Sequence, residues 1–367
     1  MIVMVIKQIE LSHIAIPLTK PFATSFGVID RRPALIIKMT TDDGRIGYGE
    51  SSPLSVPISE AETAASGMEI LKKILPTIVG LPVKKDLDIP GLYKEFHAPV
   101  STIGVEGAYL DLVSQLEGLP LYKSFGGSHT TVVAGESVGL QNSIDDTLKE
   151  VAHYIARGFD RIKIKIAPGQ DIEVVRAVRS AFPDLYLGAD ANAAYTASDV
   201  GSLAALAESH LAFVEQPFVA DEYEANAELR RHGIVICLDE TVRDMATCVR
   251  AVEGGACDMV NIKPARIGSF REAKEIHDYC HEKGIKLFGG GRLETGIGKT
   301  MNAAFYALPG FTDASDLTPP SEYFEEDIID PDFSLSKGSY ASLEGVGLGV
   351  RIKEDVLKKF TQEHFVF

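Results

Sequence analysis

Cysteine is scarce in this chain. Four occur in 367 residues, at Cys237, Cys248, Cys257 and Cys280. None forms a C-x-x-C pair, and zinc or disulfide frameworks show closer, paired spacing, so all four read as reduced core residues. Basic stretches are also missing. Lys and Arg number 36 against 52 Asp and Glu, a net charge of −16, which argues against nucleic acid or an anionic membrane surface as partner. The opening MIVMVIKQIELSHIAIPL is apolar, but Lys7, Glu10 and His13 break it. It lacks a small-residue cleavage pattern and is too short to span a bilayer. It reads as a first strand, and the expected location is cytoplasmic. Low-complexity segments are absent.

What is present is rhythm. Residues 1–50 carry strand patterns at 2–16, 34–40 and 46–50, with Asp43-Gly44 as a hairpin turn signal. Helical spacing appears at 59–76 and 106–116. This predicts a small α+β domain over residues 1–127. From Thr131 strand patterns fall at 132–138, 161–166, 185–190, 212–216, 234–239, 258–263 and 286–290. Helical patterns lie between them at 143–157, 171–181, 198–209, 221–232, 244–253 and 268–283. A helix at 296–307 and a short strand near 314–317 follow. A strand about every 25 residues with a helix between is the repeat of a parallel β/α barrel, expected over 128–318. The Pro-, Glu- and Asp-rich tail, 319–367, is expected to complete the first domain.

One strand is unusual. RIKIKIAPG, from Arg161 to Gly169, alternates Ile162, Ile164 and Ile166 with Arg161, Lys163 and Lys165. A barrel strand is covered on its outer face, so the lysines must point inward. The ends of successive strands then read Lys165, Asp190, Glu215, Asp239 and Lys263, at intervals of 24 or 25 residues. In a β/α barrel those ends meet on the face that carries the active site. Three carboxylates in one cup repel each other, and a hard divalent cation relieves that. Oxygen ligands suit Mg²⁺, with Mn²⁺ as the other candidate. The bland alternative is a salt network among the same acids and Lys163, Lys165 and Lys263.

Lys163 and Lys165 lie about 6.6 Å apart on one face. Their repulsion is about 2.5 kcal/mol at an effective dielectric of about 20. With a cation nearby, this is expected to bring Lys165 toward a base. A poised amine beside a divalent ion suits removal of a proton alpha to a carboxylate; Lys or His with Mg²⁺ is a known pairing for that chemistry.

K-x-K at Lys163/Lys165, D-x-N at Asp190/Asn192, E215-Q-P, D239-E and N-x-K263 resemble the muconate-lactonizing-enzyme branch of the enolase superfamily. The resemblance runs from about Gly135 to Asp330. It implies a (β/α)7β modified TIM barrel with an N-terminal α+β capping domain, Mg²⁺ held by Asp190, Glu215 and Asp239, and a small anionic carboxylate substrate. A homo-oligomer is the family-level expectation. Branches with a His-Asp dyad do not fit, because strand six ends in Lys263 and strand seven in Gly289-Gly290. The segment 289–316 looks like that of o-succinylbenzoate synthases and N-succinylamino-acid racemases. In these Lys165 would be the base, Lys163 would tune it, and Lys263 would face it across the substrate. The Asp-x-Asp of dipeptide epimerases is missing from Ala314-Ser315-Asp316, and the family's more usual Met is Arg292 here. Dipeptide epimerase, muconate cycloisomerase and a non-catalytic carboxylate-binding or structural barrel are the remaining alternatives.

Expected substrate contacts are Phe22, Ser25 and Phe26 in the capping loop FATSFG, and Ser137, Asn192, Gly290, Leu293 and Glu294 around the barrel. Ser51 to Pro57 is expected to help shield the substrate from water. Glu240 is expected to neutralise Lys263. His277 and His281 read as a solvated helix face, and Gly289 to Gly291 as a turn that lets substrate approach.

Overall fold

The computed structural model describes residues 4–24, 27–57, 60–342 and 344–367. Three antiparallel strands open it: β1 (Ile6–Thr24), β2 (Gly27–Thr41) and β3 (Ile46–Ser51). Helix α1 (Ala64–Ile78) buries Met68, Leu71, Leu75 and Ile78, a three-four spacing, in one core with Ile9, Leu11, Leu35 and Ile37 of the sheet. Helix α2 (Pro99–Glu117) is longer than its predicted span. It is buried on all sides, so an amphipathic period could mark only part of it. Glycines let it approach β3: a Cβ at Gly49 would lie 2.0 Å from the Gly104 carbonyl oxygen.

A short helix, α3 (Leu121–Phe125), leads to the alternating region. Its elements are β4 (Thr131–Val138), α4 (Ile144–Ala156), β5 (Arg161–Lys165), α5 (Ile172–Ala181), β6 (Tyr186–Asp190), α6 (Val200–Leu203), β7 (Phe213–Glu215) and α7 (Tyr223–Arg231). There follow β8 (Ile236–Leu238), α8 (Met245–Glu253), β9 (Met259–Ile262), α9 (Pro264–Ile267), α10 (Phe270–Glu282), β10 (Lys286–Gly289), α11 (Gly296–Tyr306) and β11 (Ser315–Asp316). The eight strands run parallel in the order β10-β9-β8-β7-β6-β5-β4-β11. A Leu287–Phe311 bridge and a hydrogen bond from the Gly289 N–H to Ser315 Oγ (2.9 Å) draw the two ends together. This is the expected (β/α)7β barrel beside an antiparallel-sheet unit.

Two details differ from expectation. The helix predicted at 198–209 is a short α segment continued by a 3-10 turn over Ala204–Ser209. Leu203, Leu206 and Ser209 are all buried, and a three-residue turn places such a spacing on one side. His277 is buried rather than solvated: its Nε2 accepts from the Gly310 N–H (2.9 Å) and its ring stacks on His281. The chain's end forms β12 (Ile329–Asp330), β13 (Ser339–Ala341), β14 (Arg351–Ile352), α12 (Glu354–Phe360) and β15 (Thr361–Val366). Strand β13 pairs with the start of β4, and β15 pairs with β1. The four cysteines are buried and unbridged. Among the described residues no helix is long and apolar enough to cross a membrane.

The period-two pattern of the barrel strands divides two cores. Ile162, Ile164, Leu187, Ala189, Val214, Ile236, Leu238, Val260 and Ile262 face the helices. Inside the ring, Phe213, Cys237, Met259 and Phe288 form a separate plug. Arg161 lies over the Phe288 ring and donates to the Ala314 carbonyl. Gly188 makes room for Phe213, whose ring would lie 2.5 Å from a Cβ there. The polar side chains stand above this apolar floor.

Candidate active site

Strand register builds the cup. Lys165 pairs with Asp190, and Asp190 with Glu215, across adjacent strands. Asp239 directly follows β8 and Lys263 directly follows β9. All five predicted residues therefore meet at the carboxyl ends of the strands. Strands β5 and β9 are four steps apart in a ring of eight, so Lys165 and Lys263 rise from opposite walls. Asp190, Glu215 and Asp239 lie along the arc between them and are at most 2% exposed.

The charges are tightly interlocked. Lys163 Nζ donates to Glu215 (2.7 Å) and Asp316 (3.1 Å) and stands 3.4 Å from Asp190. Lys165 Nζ donates to Asp190 (2.8 Å) and to the Asn192 amide oxygen. Lys263 Nζ donates to Asp239 (2.6 Å), and Arg266 forks onto the same carboxylate. Burial works against the Lys163 charge, but Asp316, Glu215 and Asp190 hold its pKa well above the ordinary value. Burial would raise Asp239; Arg266 and Lys263 instead hold it well below the usual carboxylate range. Glu215 is pushed up to about 7, by burial and then by the negative field of Asp190.

Two expectations are corrected here. The direct partner of Lys263 is Asp239; Glu240, whose Oε1 accepts from the Asn192 side chain (3.2 Å), adds only a weaker field of the expected sign. Asp190 Oδ2 lies between Lys163 and Lys165, so it offsets much of the repulsion expected between them. The sequence reading also missed Arg266 and gave no role to Asp316 or to Asn261, the Asn of N-x-K263. Asn261 Nδ2 donates to Glu215 (2.8 Å). Two-residue parity with Lys263 marks Asn261 as inward-facing, but nothing local names Arg266 as the partner of Asp239.

The other predicted positions divide. Ser137 is in register with Lys163 and faces the same interior. Asn192, at a positive φ of 41°, links Lys165 to Glu240. Gly290 packs against Lys263: a Cβ there would meet the Lys263 Cε at 2.4 Å. The Leu293 carbonyl accepts from Arg32 Nε (3.1 Å). Glu294 is buried, and its carboxylate is taken by Lys299 (3.0 Å), Asn302 (3.1 Å) and the Arg292 N–H (3.0 Å). It braces the loop instead of facing the cup. Phe22 lies in β1 opposite Ile29 of β2. Ser25 and Phe26 lie outside the described residues. In the second capping segment, the Ser52 and Pro53 carbonyls accept from Arg32.

For a metal ion the donor chemistry fits. The acids supply hard oxygens, Glu215 stands in the negative field of Asp190, Asp239 and Asp316 that Lys163 only partly offsets, and the buried Asn261 Oδ1 and Glu240 Oε2 lack hydrogen-bond donors. As they stand, no three acidic groups among the described residues converge on one point. Their oxygens are engaged by Lys163, Lys165, Lys263 and Arg266, and an ion would take oxygens from those cations.

Comparison with known proteins decides the family. Residues 8–126 match the mandelate racemase / muconate lactonizing enzyme N-terminal domain, and residues 146–356 match the enolase C-terminal domain-like family. This chain belongs to the enolase superfamily. The o-succinylbenzoate synthase of Bacillus subtilis is 37% identical over 365 residues, covering 99% of this chain and 98% of its own. The N-succinylamino acid racemase of Thermus thermophilus is 37% identical over 363 residues, covering 97% of each. A crystal structure of an enolase-superfamily member from Enterococcus faecalis superimposes with a TM-score of 0.93 at 32% identity, over 99% of both chains. The chain is thus an enolase-superfamily enzyme, of a family that acts on small carboxylates.

Proposed function

We propose that this enzyme is a Mg²⁺-dependent o-succinylbenzoate synthase. It would remove water from 2-succinyl-6-hydroxy-2,4-cyclohexadiene-1-carboxylate, a step of menaquinone biosynthesis. The observation that carries the reading is the placement of Lys165 and Lys263 on opposite walls with three buried carboxylates between them. Full-length similarity to proteins of that name supports it.

Lys165 Nζ takes the proton alpha to the substrate carboxylate. The same ammonium then protonates the departing β-hydroxyl on the same face, so one proton and one hydroxide leave as water. Asp190 and Asn192 hold that amine in place. Lys263, fixed by Asp239, stands at the other face and stabilises the anion by its charge. Asp190, Glu215 and Asp239 would hold Mg²⁺, whose positive charge would stabilise the extra negative charge that develops on the carboxylate oxygens. Charge balance favours a dianionic substrate. Asp190, Glu215, Asp239, Glu240 and Asp316 face Arg161, Lys163, Lys165, Lys263 and Arg266, so a divalent cation is best matched by a dicarboxylate.

The second reading is N-succinylamino acid racemase, alone or alongside dehydration. Lys263 favours it, because an amine on the opposite wall can return a proton to the second face. The test measures both reactions on the purified enzyme with Mg²⁺ and after chelation. Dehydration above background that is lost on chelation is expected. No dehydration rejects the first reading, and racemisation alone would establish the second. A barrel that only binds carboxylates would exchange no α-proton in D₂O.

A further inference from the structure

Arg292 lies two residues beyond Gly290, which packs on the Lys263 stem. Its guanidinium forks onto Glu60, in the segment between β3 and α1, at 2.6 and 3.1 Å. The pair is mostly buried, with side chains 12% and 20% exposed. The Arg292 backbone is locked as well: its N–H donates to Glu294 (3.0 Å), and its carbonyl accepts from Lys299 Nζ (2.7 Å). The guanidinium is therefore aimed by a rigid loop. Its Nε is buried and has no acceptor, so this cation has donor capacity that Glu60 does not use.

The neighbouring arginines are committed elsewhere. Arg32 donates to the Leu293, Pro53 and Ser52 carbonyls. Arg266 is held by Asp239. Every cation of the cup is already engaged by an acid, so a second substrate carboxylate, away from the reacting carbon, would find a local partner only outside the cup. We infer that Arg292 is the anion subsite for the substrate's remote succinyl carboxylate, and that Glu60 occupies it until the substrate displaces it. A guanidinium fork suits a carboxylate, and an internal carboxylate spares the cost of a buried unpaired charge. The inference rests on the proposed function, since it needs a succinylated substrate.

The test is binding of N-succinylglycine and N-acetylglycine to the Mg²⁺-loaded enzyme by calorimetry, for wild type, Arg292→Met, Arg292→Lys and Glu60→Gln. Circular dichroism checks that each variant folds. In Arg292→Met the preference for the succinyl ligand should fall by about ten- to a hundredfold. Arg292→Lys should restore part of it, and Glu60→Gln should strengthen succinyl binding by removing the competitor. An unchanged preference, equal losses for both ligands, or weaker succinyl binding in Glu60→Gln would overturn the inference. Wild-type turnover separates the two claims. If neither dehydration nor racemisation occurs, the proposed function fails. If turnover is normal and Arg292→Met leaves the preference intact, only the subsite fails.

Discussion

Asp190 Oδ2 sits between two ammonium groups, 2.8 Å from Lys165 and 3.4 Å from Lys163. One carboxylate oxygen thus governs how strongly the lysines feel each other, and a cation that took this oxygen would expose Lys165 to its neighbour. Lys165→Ala should lower solvent deuterium exchange at the substrate α-carbon by about 10²–10⁴-fold. Unimpaired exchange would remove Lys165 from the role of base. Lys263→Ala should abolish racemisation of N-succinylamino acids while dehydration persists at a reduced rate. Equal loss of both reactions would mean that the lysines do not divide the work by face. At this scale the sequence was informative about lysine and acid identity, because charge on an inward-facing strand position is rarely idle. It said little about Glu294, whose neighbours in sequence do not reveal that Lys299 and Asn302 consume its carboxylate.

Strand ends act as rigid mounts for these side chains. Gln216 shows how: its amide accepts from the Asp239 and Thr241 N–H groups and donates to the Phe218 carbonyl and Thr241 Oγ1. It ties the tips of β7 and β8 together. Gly290 shows how little space remains, since a Cβ there would lie 2.3 Å from Asn261 Oδ1 and 2.4 Å from the Lys263 Cγ and Cε. Lys263 is the more flexible of the two, so Gly290→Ala should push it aside. Racemisation is expected to fall by about ten- to a hundredfold, with a melting temperature close to wild type. A large loss of stability with unaltered turnover in the folded fraction would show that the backbone moves instead of the lysine. Element positions in the barrel were legible because strand parity and helix period are local signals. Helix α2, buried on every side, offered only a partial one.

The two sheets are joined by buried carboxylates. Glu106 of α2 accepts from the Phe270 and Arg271 N–H groups at the start of α10 (2.6 and 3.2 Å). Glu50 of β3 accepts from the Thr295 and Gly298 N–H groups at the start of α11 (3.0 and 2.8 Å). Both satisfy free helix amides, yet burial pushes each up to about 7. The folded protein therefore holds these protons more tightly than the unfolded chain, where a glutamate has its ordinary value of 4.5. Their contribution is full below that value and declines as pH rises through about 7. Between roughly pH 5 and 8 the melting temperature of Glu106→Gln should fall less than that of wild type. Parallel curves would show that Glu106 does not change protonation on folding in this range.

The sequence by itself determined the barrel and the five strand-end charges that line its cup. Strand parity and a repeat of 24 or 25 residues carry that information, and both are read along the chain. Only the tertiary structure decided which charge neutralises which. Arg266 reaches back 27 residues to Asp239, and Arg292 reaches 232 residues to Glu60. Parity tells which way a side chain points, but its partner depends on how separate elements pack, and no local pattern records that.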